Sequence, residues 1–342
     1  MKVRLIWWYS VGTGAEASLI NNVNGFREAG DEVEVVLVHD LKKEHLTEGA
    51  DFIITPCLEL AKYEIELPII FQLGGFAPGY LHPSGLVWFN LDKVTEKGPL
   101  VILDTTLYYD LYAFNPTWDF SKVYLLPNGV DLDFYKEPKN KDDKFRVFSP
   151  AGTIAWKDPE SFLHGLVNFL KRFPDAEAVV TVNDLKPVWK FVGHEQIRFV
   201  TPRFYRDIRD FYAESTVVTP FSAAEVFPNS VMEAMIFGKP LIVRRIGNLQ
   251  TVHHKDIGRL RKYIERIDPI EEIYEELEPL YFKGFHYMRT EMEAVFVELL
   301  TFLYENPDEA KFMSREGRKF AERWFTWKDR ARLFKRIYSE VW

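Results

Sequence analysis

The sequence predicts an α/β chain of two similar domains. Strand-like and helix-like segments alternate from the start, the alternation begins again near residue 145, and 342 residues suit two domains of ordinary size. The apolar run Val3 to Tyr9 reads as a first strand, followed by a polar loop with Gly12 and Gly14 and a helix from about Ala15 closed by Gly30. Strands at Val33 to Val38 and Phe52 to Thr55 continue the series, and strand-helix alternation of this kind means a parallel sheet with helices on its faces. Further short strands fall at Ile69 to Phe71, Leu86 to Phe89, Val101 to Leu103 and Lys122 to Leu126, the last leading into the turn Pro127-Asn128-Gly129. The charged stretch 132–144 reads as a linker.

A second series runs through Phe145 to Phe148, Ala178 to Val182, Ile197 to Val200, Thr216 to Pro220 and Leu241 to Val243. From Met288 onward the periodicity is helical, and Ala331, Phe334, Ile337 and Tyr338 share one face of a final helix over Lys328 to Val341. The expected architecture is two Rossmann-like domains facing across a cleft, 1–137 and 144–324, followed by a terminal helix over 325–342. The segment 255–283, with its acidic run Glu271 to Glu278, reads as an insertion, either a solvated amphipathic helix or a partner-binding one.

Composition narrows the function classes. A formal charge of −8 gives no general attraction to nucleic acid, so no nucleic-acid partner is expected. Cys57 is the only cysteine, which excludes an internal disulfide and a cysteine-built zinc site and points to a reducing, cytoplasmic setting. The N-terminus reads as a strand and not a signal peptide, and no apolar run approaches a spanning length. Peripheral membrane contact and oligomerisation stay open.

The chemistry concentrates at residues 225–240, where Glu225 and Glu233 stand eight positions apart. The strand Thr216 to Pro220 places Glu225 in the loop at a strand's carboxyl end and Glu233 in the first turns of a helix that Asn229 or Ser230 caps and Gly238 ends. A phosphate fits the Asn229 to Val231 amides at that helix start, with the two acids accepting hydroxyl hydrogen bonds on either side. Taken singly, Glu225 is a solvated loop acid, and Ser230 with Glu233 is a capping box. The joint spacing favours a nucleotide-sugar site.

These residues resemble the family 4 retaining glycosyltransferases of GT-B fold, within the glycosyl transferases group 1. The Glu225-x7-Glu233 spacing, the following Ala234-Met235 and Gly238-Lys239-Pro240, the turn Pro127-Asn128-Gly129-Val130-Asp131, Phe325-Thr326-Trp327, and Gly12-Thr13-Gly14-Ala15-Glu16 all match the family's pattern. The resemblance implies a metal-independent and cofactor-free transfer of a hexose from a nucleoside diphosphate sugar to a hydroxyl acceptor. It also implies a last helix that crosses back to the first domain. Glu225 would orient the donor sugar and Glu233 would accept ribose hydroxyls, with Phe227, Pro228, Asn229, Ser230 and Val231 completing the donor site.

Lys157 precedes Asp158-Pro159, a capping residue and a proline at the first helical position, so its ammonium lies beside a positive helix end and is suited to an anion. The family has a lysine here too, which gives Lys157 the departing diphosphate. Where the family commonly has Gly-Arg, this chain has Gly152-Thr153, with Arg203, Arg244 and Arg245 as candidates for the missing cation. Gly12 and Gly14 let backbone approach a phosphate or sugar. The histidine that many members place after an N-domain strand is missing from Ile70 to Phe76, leaving His82 as the nearest acceptor-side candidate. His253 and His254 read as non-metal. Two alternatives remain: a catalytically silent nucleotide- or glycan-binding subunit of the same fold, and an NAD(P)-dependent oxidoreductase, since Gly12 to Ala17 with Asp40 satisfies a relaxed dinucleotide fingerprint.

Overall fold

The computed structural model describes residues 1–8, 14–73, 91–103, 107, 111, 117–136, 144–150, 152–153, 157–220, 229–243, 289–324 and 326–342. The strand expected at Leu86 to Phe89 and the acidic segment 255–283 lie outside them. The chain divides into two compact units; the described residues of the first fall in 1–129 and 326–342, those of the second in 130–243 and 289–324.

In the first unit the order is β1 (Lys2–Trp7), α1 (Gly14–Glu28), β2 (Glu32–Leu37), α2 (Glu44–Thr47), β3 (Phe52–Thr55), β4 (Ile69–Leu73), α3 (Leu91–Lys97), β5 (Leu100–Ile102) and β6 (Val123–Leu125). The strands form one parallel sheet, β2-β1-β3-β4-β5-β6. β3 and β4 are buried along their whole length, as the unbroken apolar runs of a sheet covered on both faces require. Arg4 of β1 is buried too, and it is satisfied by Glu34 Oε2 at 2.8 Å and by the carbonyls of His45 and Glu48 at 2.6 and 2.7 Å. Those two carbonyls tie α2 to the sheet. Cys57 is a buried thiol whose pKa burial pushes up to about 12, so it is inert at neutral pH.

The second unit begins at Val130, just before the expected linker. Leu132–Phe134 is a 3-10 turn whose carbonyl region is gripped by Arg209, which donates to Asp133 O at 3.3 Å and to Phe134 O and Tyr135 O at 2.8 Å. Its elements are β7 (Arg146–Ser149), α4 (Pro159–Arg172), β8 (Glu177–Thr181), β9 (Ile197–Val200), α5 (Arg209–Glu214), β10 (Val217–Val218), α6 (Asn229–Ile236), α7 (Arg289–Glu305) and α8 (Pro307–Arg323). The parallel sheet runs β10-β7-β8-β9, and Leu241 bridges Val218 beyond β10. One face of α4, carrying Phe162, Leu163, Leu166, Phe169 and Leu170, joins Val147, Ala178 and Val180 of the sheet and Phe296, Leu300 and Leu303 of α7 in a single core. Gly238 at φ 57° ends α6, with Gly238 N–H bonded to Met235 O and Lys239 N–H to Ala234 O, the paired bonds of a left-handed glycine cap. Lys239 Nζ then donates to Ala213 O and Ser215 O at 2.9 and 2.6 Å, fastening the end of α5.

The last helix, α9 (Trp327–Val341), belongs to the first unit, as expected. Thr326 and Asp329 form a reciprocal capping box at its start, and its apolar face lays Phe334 against Phe26 and Tyr338 on Phe52. Two glycines permit the approach. A side chain at Gly25 would collide with the Trp327 carbonyl, and one at Gly129 would sit 2.5 Å from the Trp327 nitrogen. Arg330, 0% exposed, donates to Pro127 O at 2.9 Å, Asn22 Oδ1 at 2.7 Å and Gln72 Oε1 at 2.9 Å.

Candidate functional site

In the second sheet the chain passes from β7 to β8 to β9 in one direction and then places β10 on the other side of β7. The order therefore reverses at the carboxyl ends of β7 and β10, the place where open parallel sheets bind ligands. α4 follows β7 and α6 follows β10, so a helix follows each of two adjacent strands at that edge, and the first N–H groups of a helix have no intrahelical acceptor. This arrangement is suited to an anion.

Asp158 caps α4, accepting from Ser161 N at 3.4 Å and Ser161 Oγ at 2.9 Å. Among the described residues it is the one non-glycine residue with positive φ, at 50°, a left-handed conformation immediately before a proline. Lys157, partly exposed, stands directly before it. Thr153, by contrast, is 1% exposed, and its hydroxyl donates to Asp184 O at 2.6 Å while accepting from the N–H groups of Asn183 and Asp184 at 3.3 Å. Its side chain stitches the loop after β7 to the loop after β8. Thr219, buried at the carboxyl end of β10, keeps Oγ1 without a hydrogen-bond partner.

On α6, Asn229 and Ser230 are partly exposed and Val231 is buried. Glu233 is only 5% exposed. Its Oε1 accepts from the Tyr205 hydroxyl at 2.5 Å and its Oε2 from the Tyr212 hydroxyl at 2.7 Å. Neither bond runs back to Ser230 N–H, as a capping box would require. Burial pushes its pKa up to about 7, against the pull of the two phenols and with Asp131 adding to the rise. Asp131 is itself raised by burial, with Arg206 at 3.5 Å opposing, and the Tyr212 hydroxyl is held neutral by burial beside Glu233. The tyrosines are fixed in turn: Tyr205 stacks on Phe134 at 4.9 Å and Tyr212 on Phe237 at 5.4 Å.

Glu225, Phe227, Pro228, Gly12, His82, Arg244, Arg245, His253 and His254 lie outside the described residues. Gly14 opens α1 after β1, at the edge where the order of the first sheet also reverses, between β1 and β3. Arg203 is exposed, and Asp40 pairs with His39 at 3.3 Å on the surface. Sequence reasoning missed Tyr205 and Tyr212. They lie 28 and 21 positions before Glu233, on a different turn and helix, so no spacing rule connects them. Among the described residues no helix is long and apolar enough to cross a membrane.

Residues 152–280 match the family model described as glycosyl transferases group 1. No curated protein matches the chain. Among solved structures, sucrose-phosphate synthase from Thermosynechococcus elongatus is similar with a TM-score of 0.69 at 14% identity, over 100% of this chain and 99% of that one. A glycosyltransferase from Rickettsia africae ESF-5 gives 0.66 at 15% identity over 99% and 98%. The catalytic domain of starch synthase IV from Arabidopsis thaliana, bound to ADP and acarbose, gives 0.63 at 11% identity over 99% and 98%. The resemblance read from the paired glutamates is thus borne out at this level: residues 152–280 match the glycosyl transferases group 1, within a chain that has the two Rossmann-like domains of the GT-B fold.

Proposed function

We propose that the chain is a family 4 retaining glycosyltransferase, moving a hexose from a nucleoside diphosphate sugar to a hydroxyl acceptor without a metal. The observation that carries this reading is the pair of helix starts at the β7/β10 reversal, with Lys157 beside one of them, inside the segment that matches the glycosyl transferases group 1. A diphosphate there gains fixed N–H donors and a nearby ammonium that grow more favourable as charge develops on the leaving group. Glu225 would hold the donor sugar by its hydroxyls, and the leaving phosphate itself would take the acceptor proton on the same sugar face. No dedicated base is then needed, in keeping with the histidine missing between Ile70 and Phe76. A cytoplasmic setting belongs to the same reading.

The test is an assay of the wild type, Glu225→Gln and Lys157→Ala against a panel of UDP-, GDP- and ADP-sugars in the presence and absence of EDTA. The expected result is turnover that ignores EDTA and falls by about 100-fold or more in each variant. Undiminished turnover in both variants rejects these roles. A second reading, a silent nucleotide- or glycan-binding subunit, is favoured by Thr153, whose buried hydroxyl stands where the family's arginine would reach the diphosphate. Nucleotide binding without donor hydrolysis or transfer would support it.

A further inference from the structure

Opposite the reversal edge, at the amino ends of the strands of the second sheet, lies an open hollow of about 650 Å³. Its place follows from the chain. Phe145 leads into β7, Asp175 into β8, Thr216 into β10 and Pro240 into the Leu241 bridge, and in a parallel sheet these all fall at one end. The junction of α7 and α8 lines it as well, through Tyr304 and Lys311. A concavity of this size suits a small metabolite.

Three lysines reach the hollow from separate elements: Lys144 before β7, Lys239 after α6 and Lys311 near the start of α8. They outnumber the two acids of the lining, Asp175 and Glu214. Lys144 and Lys311 are exposed and pair with Glu177 and Asp308 at 3.2 and 3.1 Å. Solvated pairs of this kind are weak, so an incoming anion recruits the cations at little cost. Lys239 differs, because it is partly buried and its ammonium rests on the Ala213 and Ser215 carbonyls, with no carboxylate among the described residues paired to it. Burial, with Arg146 adding to it, pulls its pKa down to about 8, and an anion in the hollow would supply the missing counter-charge. Tyr304 is held by an edge-on contact with Phe145 at 5.2 Å and by its hydroxyl on Asp175 Oδ2 at 2.8 Å, which fixes an aromatic surface in the same lining.

We propose that this hollow is a second binding site, which takes a small organic phosphate, its phosphate answering Lys239, Lys144 and Lys311 and its ring-sized body lying against Tyr304. The site is separate from the proposed donor site, which lies at the opposite ends of the same strands.

Titration calorimetry on the full chain at low salt, with phenyl phosphate, inorganic phosphate and benzyl alcohol as probes, tests this. Phenyl phosphate should bind saturably with a Kd below about 5 mM, at least about tenfold more tightly than either of the other two. Lys144→Glu and Lys311→Glu, both at exposed positions, should each weaken it by about three- to tenfold. The same charge change at Lys2, in the first sheet, and removal of the ammonium in Lys157→Ala should each leave it within about twofold of wild type. Lys239→Met keeps the apolar stem and removes the charge, and should weaken binding by about tenfold or more; if that variant does not fold, the two exposed lysines decide. Absence of saturable binding, equal affinity for the three probes, or a loss in Lys2→Glu equal to the losses in Lys144→Glu and Lys311→Glu overturns the proposal. Loss of binding in Lys157→Ala overturns it too, since the probe then sits at the donor edge and the donor reading stands without this site.

Discussion

Arg330 carries a full positive charge into the first unit, and no carboxylate among the described residues meets it. Burial pulls its pKa down to about 9, which leaves it a cation at neutral pH, and three neutral oxygens from separate parts of the chain share that charge. The rings of Trp327 and Phe334, 5.2 and 4.7 Å away, add cation-π attraction. Arg330→Leu should leave Asn22, Gln72 and the Pro127 carbonyl unpaired and cost about 3–5 kcal/mol, read as a lower urea midpoint. Arg330→Lys should recover little, because an ammonium does not present the fork that reaches three directions at once. At Asp158 the conformation and the cap oppose each other. Asp158→Gly gives up the bonds to Ser161 but accepts φ 50° without strain, so stability should change by less than about 1 kcal/mol; Asp158→Ala loses the bonds and keeps the strain, costing about 1–2 kcal/mol. Melting temperatures of the two variants check the order, and equal losses would show that strain is absent.

At the scale of elements, α6 should make the second unit sensitive to pH. Glu233 has a folded pKa of about 7, above the ordinary carboxylate value of 4.5, so between those values the folded state holds a proton that the unfolded chain has released. Stability is therefore greater at the acid end of that window and falls as pH rises through about 7, by up to about 3 kcal/mol. Asp131, raised by burial, acts in the same sense, and the Tyr212 hydroxyl, held neutral by burial, faces the carboxylate beside that of Tyr205. Comparing wild type with Glu233→Gln at pH 5.5 and 8 isolates the glutamate; an identical pH dependence in both would contradict a buried, raised acid. Packing between α1 and α9 makes a sharper demand, since Gly25→Ala pushes a methyl into the Trp327 carbonyl and should cost several kcal/mol by calorimetry. Much of this level was legible in the sequence. Apolar runs bounded by turns placed β3 and β9 to the residue, and the Asp158-Pro159 pair placed the start of α4, because those rules are local. What governs Glu233 was not legible, because phenols 21 and 28 positions away reach it only after β9, α5 and α6 have been brought together. The partners of the Thr153 hydroxyl were hidden for the same reason, since they lie in a loop some 30 positions on.

For the whole molecule, the described residues of the second unit fall, in sequence, between two parts of the first. The described residues of unit one lie on both sides of it in sequence, and α9 completes its packing against α1. A fragment of residues 130–324 should accordingly unfold as one cooperative transition, whereas 1–129 without the last helix should lose the Arg330 contacts and the Phe334 and Tyr338 packing and remain incompletely folded. Circular dichroism melts of the two fragments, with 325–342 added back as a peptide to the second, test this; cooperative melting of 1–129 alone would refute it. The arrangement also sets a timetable during synthesis. At ribosomal speeds of roughly 5–20 residues per second, the half that is made first waits some tens of seconds for the residues that close it. Through that interval Phe26 and Phe52 have no lid, so the nascent chain's hazard of sticking to its neighbours falls on the part made before the second unit, and only synthesis of α9 ends it.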